Sequence, residues 1–214
     1  MVVLLGQFSS GKSNAWRYVV DNGWGRMWVS YGPWQDYEGE PVGLDNGAFG
    51  AYRRGVKWNE RPLLRLVERT IKRGITPTVC VVPDIVEGGN RSLELSVKWR
   101  DRLPVSWPWL LAVQDGHTVD QVDAVLPRFS GLFLGGSREF KNTAARWARL
   151  AHGRGKWFHY ARCGTVAAMR HARQVEADSV DSTGPVMRAA EGKHSQIRAY
   201  VKEWAGQNPQ KEIF

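Results

Sequence analysis

Short apolar runs recur along the chain, separated by polar or glycine-bearing turns and by longer amphipathic stretches. The runs are 2–5 (VVLL), 27–30 (MWVS), 42–45 (VGLD), 78–83 (TVCVVP), 109–114 (WLLAVQ), 131–135 (GLFLG), 156–161 (KWFHYA) and 177–181 (ADSVD). Runs this short and this apolar suit strands buried on both faces. Between them the pattern predicts helices over 59–73, 90–102, 118–127, 138–153, 165–176 and 185–205, with a shorter one over 13–21. Leu63, Leu64, Val67 and Ile71 mark the apolar face of the first, and Gly74 stops it. Ala144, Trp147, Ala148 and Ala151 form the stripe of the fourth. The Gly- and Pro-rich stretch 31–41 takes the place of one crossover helix. Eight strands alternating with helices predict a parallel sheet, and eight is the number that closes into a compact TIM-type (β/α)8 barrel. An open, doubly wound sheet is the rival, because sequence does not report closure. No linker or internal repeat divides the chain, so one barrel domain is expected over 1–205, with a polar tail over 206–214.

Composition narrows the function classes. The chain has 214 residues, 43% hydrophobic with 11 Trp, enough to bury a core and exclude global disorder. The longest apolar runs are too short to span a bilayer, so no membrane partner is expected. The N-terminus lacks the pattern of a secretory leader, which makes a cytoplasmic protein the expectation. Two cysteines, Cys80 and Cys163, cannot frame a disulfide scaffold, and no Cys/His cluster has zinc-ligand spacing, so no metal or other cofactor is expected. The formal charge of +9 changes the picture most. Pairs such as Arg53-Arg54, Lys72-Arg73, Arg100/Arg102 and Arg170/Arg173 distribute it over the domain, pointing to a basic face and a polyanionic partner, most simply nucleic acid.

In a barrel the loops after the strands build the site. The third run ends in Leu44-Asp45-Asn46-Gly47-Ala48-Phe49, the fourth in Val82-Pro83-Asp84 and the fifth in Val113-Gln114-Asp115-Gly116. The sixth ends in Leu134-Gly135-Gly136-Ser137 and the eighth in Val180-Asp181-Ser182-Thr183-Gly184. Asp45, Asp84 and Asp181 would share one mouth, where neighbouring carboxylates split in pKa and take different roles. Gly135-Gly136 would let a flat ligand approach the backbone, and Phe49 could stack on it. Each feature has a plainer explanation when taken alone: strand-end Asp residues cap helices, Gly-Gly makes turns, and Phe packs in cores.

The ordered set LDNGAF, VVPD, LAVQDG, LFLGGS and VDSTG, spanning Leu44 to Gly184, resembles the tRNA-guanine transglycosylase superfamily. It is closer to the phage DpdA-like branch, which acts on DNA. The resemblance implies that Asp181 is the nucleophile at the nucleotide C1′ and that Asp45 is the acid/base residue. It implies that Phe49 sandwiches the base while Asp84, Gln114, Gly135 and Gly136 read the purine edge. A free 7-deazaguanine, such as 7-cyano-7-deazaguanine, would replace guanine, which makes the chain a pentosyltransferase with DNA as partner. Three departures bear on the substrate. The CxCxxC-plus-His zinc site of the tRNA enzymes is absent from the sequence, the chain is shorter than those enzymes, and Asn46 and Ala48 stand where Ser and Gly are usual. These departures favour DNA over tRNA and leave open a sibling that binds or processes a related nucleoside without exchange.

A competing motif lies at 6–13, where GQFSSGKS satisfies the Walker A pattern GxxxxGK[ST] after a strand-like run. A P-loop NTPase would use Lys12 and Ser13 on phosphate and magnesium. In a barrel the same segment is the first strand-end loop, and Lys12 would touch a nucleic-acid phosphate. The P-loop reading leaves Asp45, Gln114, Gly135-Gly136 and Asp181 unexplained. A non-catalytic nucleic-acid-binding barrel is the third possibility. Lys141 is a further phosphate candidate, although a solvated helix face is the safer reading. His159, inside the strand-like KWFHYA, could reach the mouth, but a packed or surface histidine is the plainer reading, and Cys163 reads as a loop thiol.

Overall fold

Eight parallel strands pair in chain order and close on themselves in the computed structural model, which describes residues 1–6, 18–19, 21–32, 37–190 and 192–205. The strands are β1 (Val2–Gly6), β2 (Gly25–Val29), β3 (Val42–Asp45), β4 (Val79–Val81), β5 (Trp109–Val113), β6 (Gly131–Leu134), β7 (Trp157–Tyr160) and β8 (Ser179–Ser182). β1 pairs with β2 on one side and with β8 on the other, through Val3 opposite Val180 and Leu4 opposite Asp181. The ring is therefore a barrel, and the open sheet is excluded.

Side-chain alternation divides each strand between two cores. Outward residues such as Leu44, Cys80, Leu111, Leu132, Phe158 and Val180 pack under the helices. Leu4, Met27, Val79 and Leu110 fill the barrel interior, backed by Val2, Phe133 and Trp157. Small residues make that interior possible. A Cβ on Gly43 would lie 2.7 Å from Met27 Sδ and 2.8 Å from a Leu4 methyl, closer than packed atoms allow.

The helices are α1 (Ala48–Arg53), α2 (Glu60–Lys72), α3 (Asn90–Arg100), α4 (Val119–Val125), α5 (Arg138–Lys141), α6 (Ala144–Gly153), α7 (Val166–Gln174), α8 (Gly184–Ala190) and α9 (Ser195–Ala205). Their starts carry the capping chemistry expected of short polar residues: Asn59 accepts from the Arg61 amide, Thr165 from Ala168, and Thr118 with Gln121 closes a capping box. Trp147 of the α6 stripe is fully buried and donates to Thr143 Oγ1.

Several boundaries differ from expectation. β2 starts two residues earlier, because Arg26 interrupts the apolar run yet is buried in an ion pair with Glu40 at 2.8 Å. The helix expected over 138–153 breaks between α5 and α6, where Thr143 Oγ1 donates to Phe140 O. The one expected over 185–205 breaks near Gly192, whose φ is 80°. α1 was not anticipated. No helix is described between β2 and β3, in accord with the Gly/Pro-rich stretch. Of the expected helix over 13–21, residues 18, 19 and 21 are helical and the rest lies outside the described residues, as does the tail 206–214. Among the described residues no helix is long and apolar enough to cross a membrane.

Candidate functional site

A cavity of about 320 Å3 opens at the C-terminal end of the barrel, and all seven mouth residues expected from the sequence line it: Asp45, Phe49, Asp84, Gln114, Gly135, Gly136 and Asp181. Strand alternation is the cause. Asp45 stands two residues beyond the interior Gly43, and Gln114 four beyond the interior Leu110. Asp181 follows Ser179, whose hydroxyl faces the ring of His159. Val81, Ala112 and Phe133 form the floor.

Each carboxylate has its own environment. Asp45 accepts from the Gly47 amide at 2.6 Å. Burial raises its pKa to about 6 against that hydrogen bond, and the charges of Asp181 and Asp84 add to the rise. Gly47 supplies its amide from the left-handed region, at φ 77°, where a Cβ would collide with Ser30 Oγ and the Tyr31 ring. Asp84 is likewise raised to about 6 by burial, with the Asn46 and Gln114 amides opposing. Asn46 Nδ2 donates to Asp84 Oδ1 at 2.9 Å and to Val82 O, while its own Oδ1 accepts from Ala48 N and so starts α1. Asn46 is therefore the bracket between two strand ends.

Gln114 reaches the cavity, but both ends of its amide are in use. Nε2 donates to Ile85 O at 2.7 Å and to Ser92 Oγ at 3.1 Å, with a longer contact to Asp84 Oδ2, and Oε1 accepts from Glu87 N. Its first job is to hold Asp84 and the turn after β4. In the Gly-Gly turn, Gly135 N–H goes to Val113 O, which leaves the Gly136 amide without a partner among the described residues. Phe49, 39% exposed, forms the rim on α1, and the Arg162 guanidinium lies 4.6 Å from its ring centroid.

Three neighbours of the site receive no role in it from the sequence, although His159 is weighed there as able to reach the mouth. His159, fully buried, stacks on Phe133 with ring centroids 4.8 Å apart and places Nε2 2.9 Å from Asp181 Oδ1. A carboxylate only accepts, so Nε2 carries a proton, and in the neutral ring Nδ1 accepts from Ser179 Oγ at 2.7 Å. Ser179 Oγ in turn accepts from Trp157 Nε1 at 2.7 Å. The packed histidine is thus the last link of a donor chain aimed at Asp181. Arg162 is the second. Its backbone amide donates to Asp181 Oδ1 at 3.0 Å, its guanidinium donates to Gly136 O, and its φ of 51° is strained for a non-glycine residue. Asp115 is the third: it accepts from Ser137 N and Ser137 Oγ, both at 2.6 Å, and so clamps the Gly-Gly turn. Burial pushes its carboxyl up, but the two Ser137 bonds and the Arg162 charge outweigh it and hold the group below the ordinary value. Period-2 counting along KWFHYA could have placed His159 inward; nothing in the sequence marks the backbone of Arg162.

Lys141 does not stand on a solvated helix face. It is 8% exposed, its ammonium donates to Ala161 O, and it lies 4.8 Å over the Tyr160 ring, in a second cavity beside the first. Lys12 falls outside the described residues. Cys163 is buried, and burial raises its thiol to about 12, so it is no nucleophile at neutral pH. No group of three or more His, Cys, Asp or Glu side chains arranged to hold a metal exists among the described residues.

Fold and site together define a TIM-type barrel with a carboxylate-rich mouth, roofed by an aromatic ring and a guanidinium. No family model and no curated protein matches the chain.

Proposed function

We propose that the protein exchanges a nucleobase: it replaces guanine in DNA by a 7-deazaguanine through a covalent link to Asp181. The observation that carries this reading is the convergence of Asp45, Asp84 and Asp181 on one cavity of nucleoside size, about 320 Å3. Base exchange needs a group that holds the sugar while one base leaves and another enters, and a carboxylate can do so. In this reading an Asp181 oxygen attacks C1′ and the C1′–N9 bond breaks. The departing guanine takes its proton from the Asp45 carboxyl, whose pKa near 6 suits proton transfer in both directions at neutral pH. The incoming 7-deazaguanine returns a proton to Asp45, its N9 attacks C1′, and Asp181 is released.

The remaining side chains divide the work. Asp84 and the Gly136 amide present an acceptor and a donor to the purine edge, and Gln114 contributes by holding Asp84. Phe49 and Arg162 cover the base. The target nucleotide must leave the helical stack to reach the mouth, at a cost of a few kcal/mol. A net charge of +9 supplies backbone attraction to offset it.

Incubation with labelled 7-deazaguanine and either DNA or tRNA tests the reading. Incorporation into DNA that Asp181→Ala abolishes is the expected result. Incorporation into tRNA alone would reassign the substrate. Binding of DNA without exchange of any base, equal in wild type and Asp181→Ala, would make the barrel a binding module.

A further inference from the structure

Beside the carboxylate cavity lies a wider one, about 770 Å3, lined by Arg138, Lys141, Arg162, Arg170 and His171, with no Asp or Glu among its lining residues. Arg162 lines both cavities, so they adjoin. Arg170 is occupied by Glu203 at 2.9 Å. Arg138, Lys141 and Arg162 have no carboxylate within ion-pair distance of their side chains among the described residues; the Arg162 guanidinium and the Lys141 ammonium donate to the neutral carbonyls of Gly136 and Ala161.

Charge without a directly paired carboxylate is costly, above all at Lys141. A lysine only 8% exposed has lost most of its hydration, and one carbonyl with the Tyr160 ring replaces little of it. Burial and, after it, the Arg162 charge lower its pKa to about 8 against the opposing pull of Asp181. Two cations that repel each other across a cavity are stabilised by an anion between them. The start of α7 opens on the same cavity through Thr165 and Ala167 and adds its positive end. Guanidinium, ammonium and the positive end of a helix together suit a phosphate.

We propose that this second cavity is a phosphate site that seats a backbone phosphodiester of a nucleic-acid strand, next to the nucleotide held over the carboxylates. Its position relative to a reacting nucleotide rests on the base-exchange reading; the binding itself does not. Arg162 spans the two cavities, so the guanidinium that lies over Phe49 also faces the phosphate.

Fluorescence anisotropy with a labelled single-stranded DNA, over about 50 to about 200 mM salt, tests it. Arg138→Gln and Lys141→Met should each weaken binding about fivefold at the low-salt end. Each should also flatten the slope of log affinity against log salt by about 0.7, the share of one phosphate contact on a single strand. Lys98→Gln, an exposed cation in the last turn of α3 at the opposite end of the barrel, serves as the control and should change neither. Wild-type affinity and slope in the exposed Arg138→Gln variant would overturn the proposal even if Lys141→Met failed to fold. Equal losses in Lys98→Gln would also overturn it, since binding would then be diffuse. Competition by dGMP or inorganic phosphate, with strand binding untouched by the substitutions, would keep the phosphate chemistry and overturn the strand. Weakened binding in the variants of a wild type that exchanges no base would uphold the site and dismiss base exchange alone.

Discussion

Asp45→Asn should make the protein more stable at pH 8, and the gain should vanish in acid. The ionised Asp45 carboxylate is disfavoured chiefly by burial and further by the charges of Asp181 and Asp84, so its pKa rises from the ordinary 3.8 to about 6. A folded pKa above the unfolded one means that the native state binds more protons between those values, so stability falls as pH rises through about 6. The contribution is fully present below 3.8 and is lost above the folded value. Converted at 1.36 kcal/mol per tenfold, it amounts to about 3 kcal/mol. Asparagine keeps the shape and an oxygen to accept from Gly47 N, and it removes the charge. Urea unfolding of wild type and variant at several pH values measures the difference. It should be near zero around pH 3.5 and grow to about 3 kcal/mol at pH 8. A variant less stable than wild type at pH 8, or a gain independent of pH, would refute the claim that the mouth stores charge at a cost. The same variant should lose base exchange, the usual trade of a strained site for function.

Other substitutions probe neighbouring links. His159→Phe keeps the stack on Phe133 but removes the Nε2 donor to Asp181, a bond to a charged group of about 1.5–3 kcal/mol; turnover in the exchange assay should fall at least tenfold with little change in KM. Gly136→Ala puts a Cβ 2.7 Å from Asp115 Oδ2 at a φ of 71° and should destabilise the fold by about 2 kcal/mol in urea melts. Gly43→Ala should cost about 1–3 kcal/mol by overpacking Met27 and Leu4 inside the barrel. Phe49→Ala, on an exposed rim, should leave stability within about 0.5 kcal/mol and raise KM for the base.

The barrel and the mouth were readable from the chain for a common reason: both depend on where apolar runs end. A strand buried on both faces announces itself as an unbroken run, and its last residues necessarily face the mouth, so Asp45, Asp84, Gln114 and Asp181 could be placed without any knowledge of pairing. What escaped depends on pairing or on backbone shape. Arg26 concealed the start of β2 because its charge is neutralised by Glu40, which only the return of the chain into β3 brings beside it. His159 acquires its meaning only once β7 lies beside β8 with His159 opposite Ser179, a register that aligns the Trp157–Ser179–His159 chain on Asp181. α1 was hidden because AFGAYR carries a glycine that weakens it as a helix, and it forms where Asn46 Oδ1 accepts the Ala48 amide. Arg162 lies in a loop at positive φ, a conformation no sequence rule assigns to arginine, yet that turn lets one residue serve Asp181 with its amide and Gly136 with its side chain. Strain at such a position persists only where surrounding contacts over-determine it. Here the contacts that do so are the nucleophile candidate on one side and the glycine turn on the other. Any loss of order in either should therefore be felt at both cavities through Arg162.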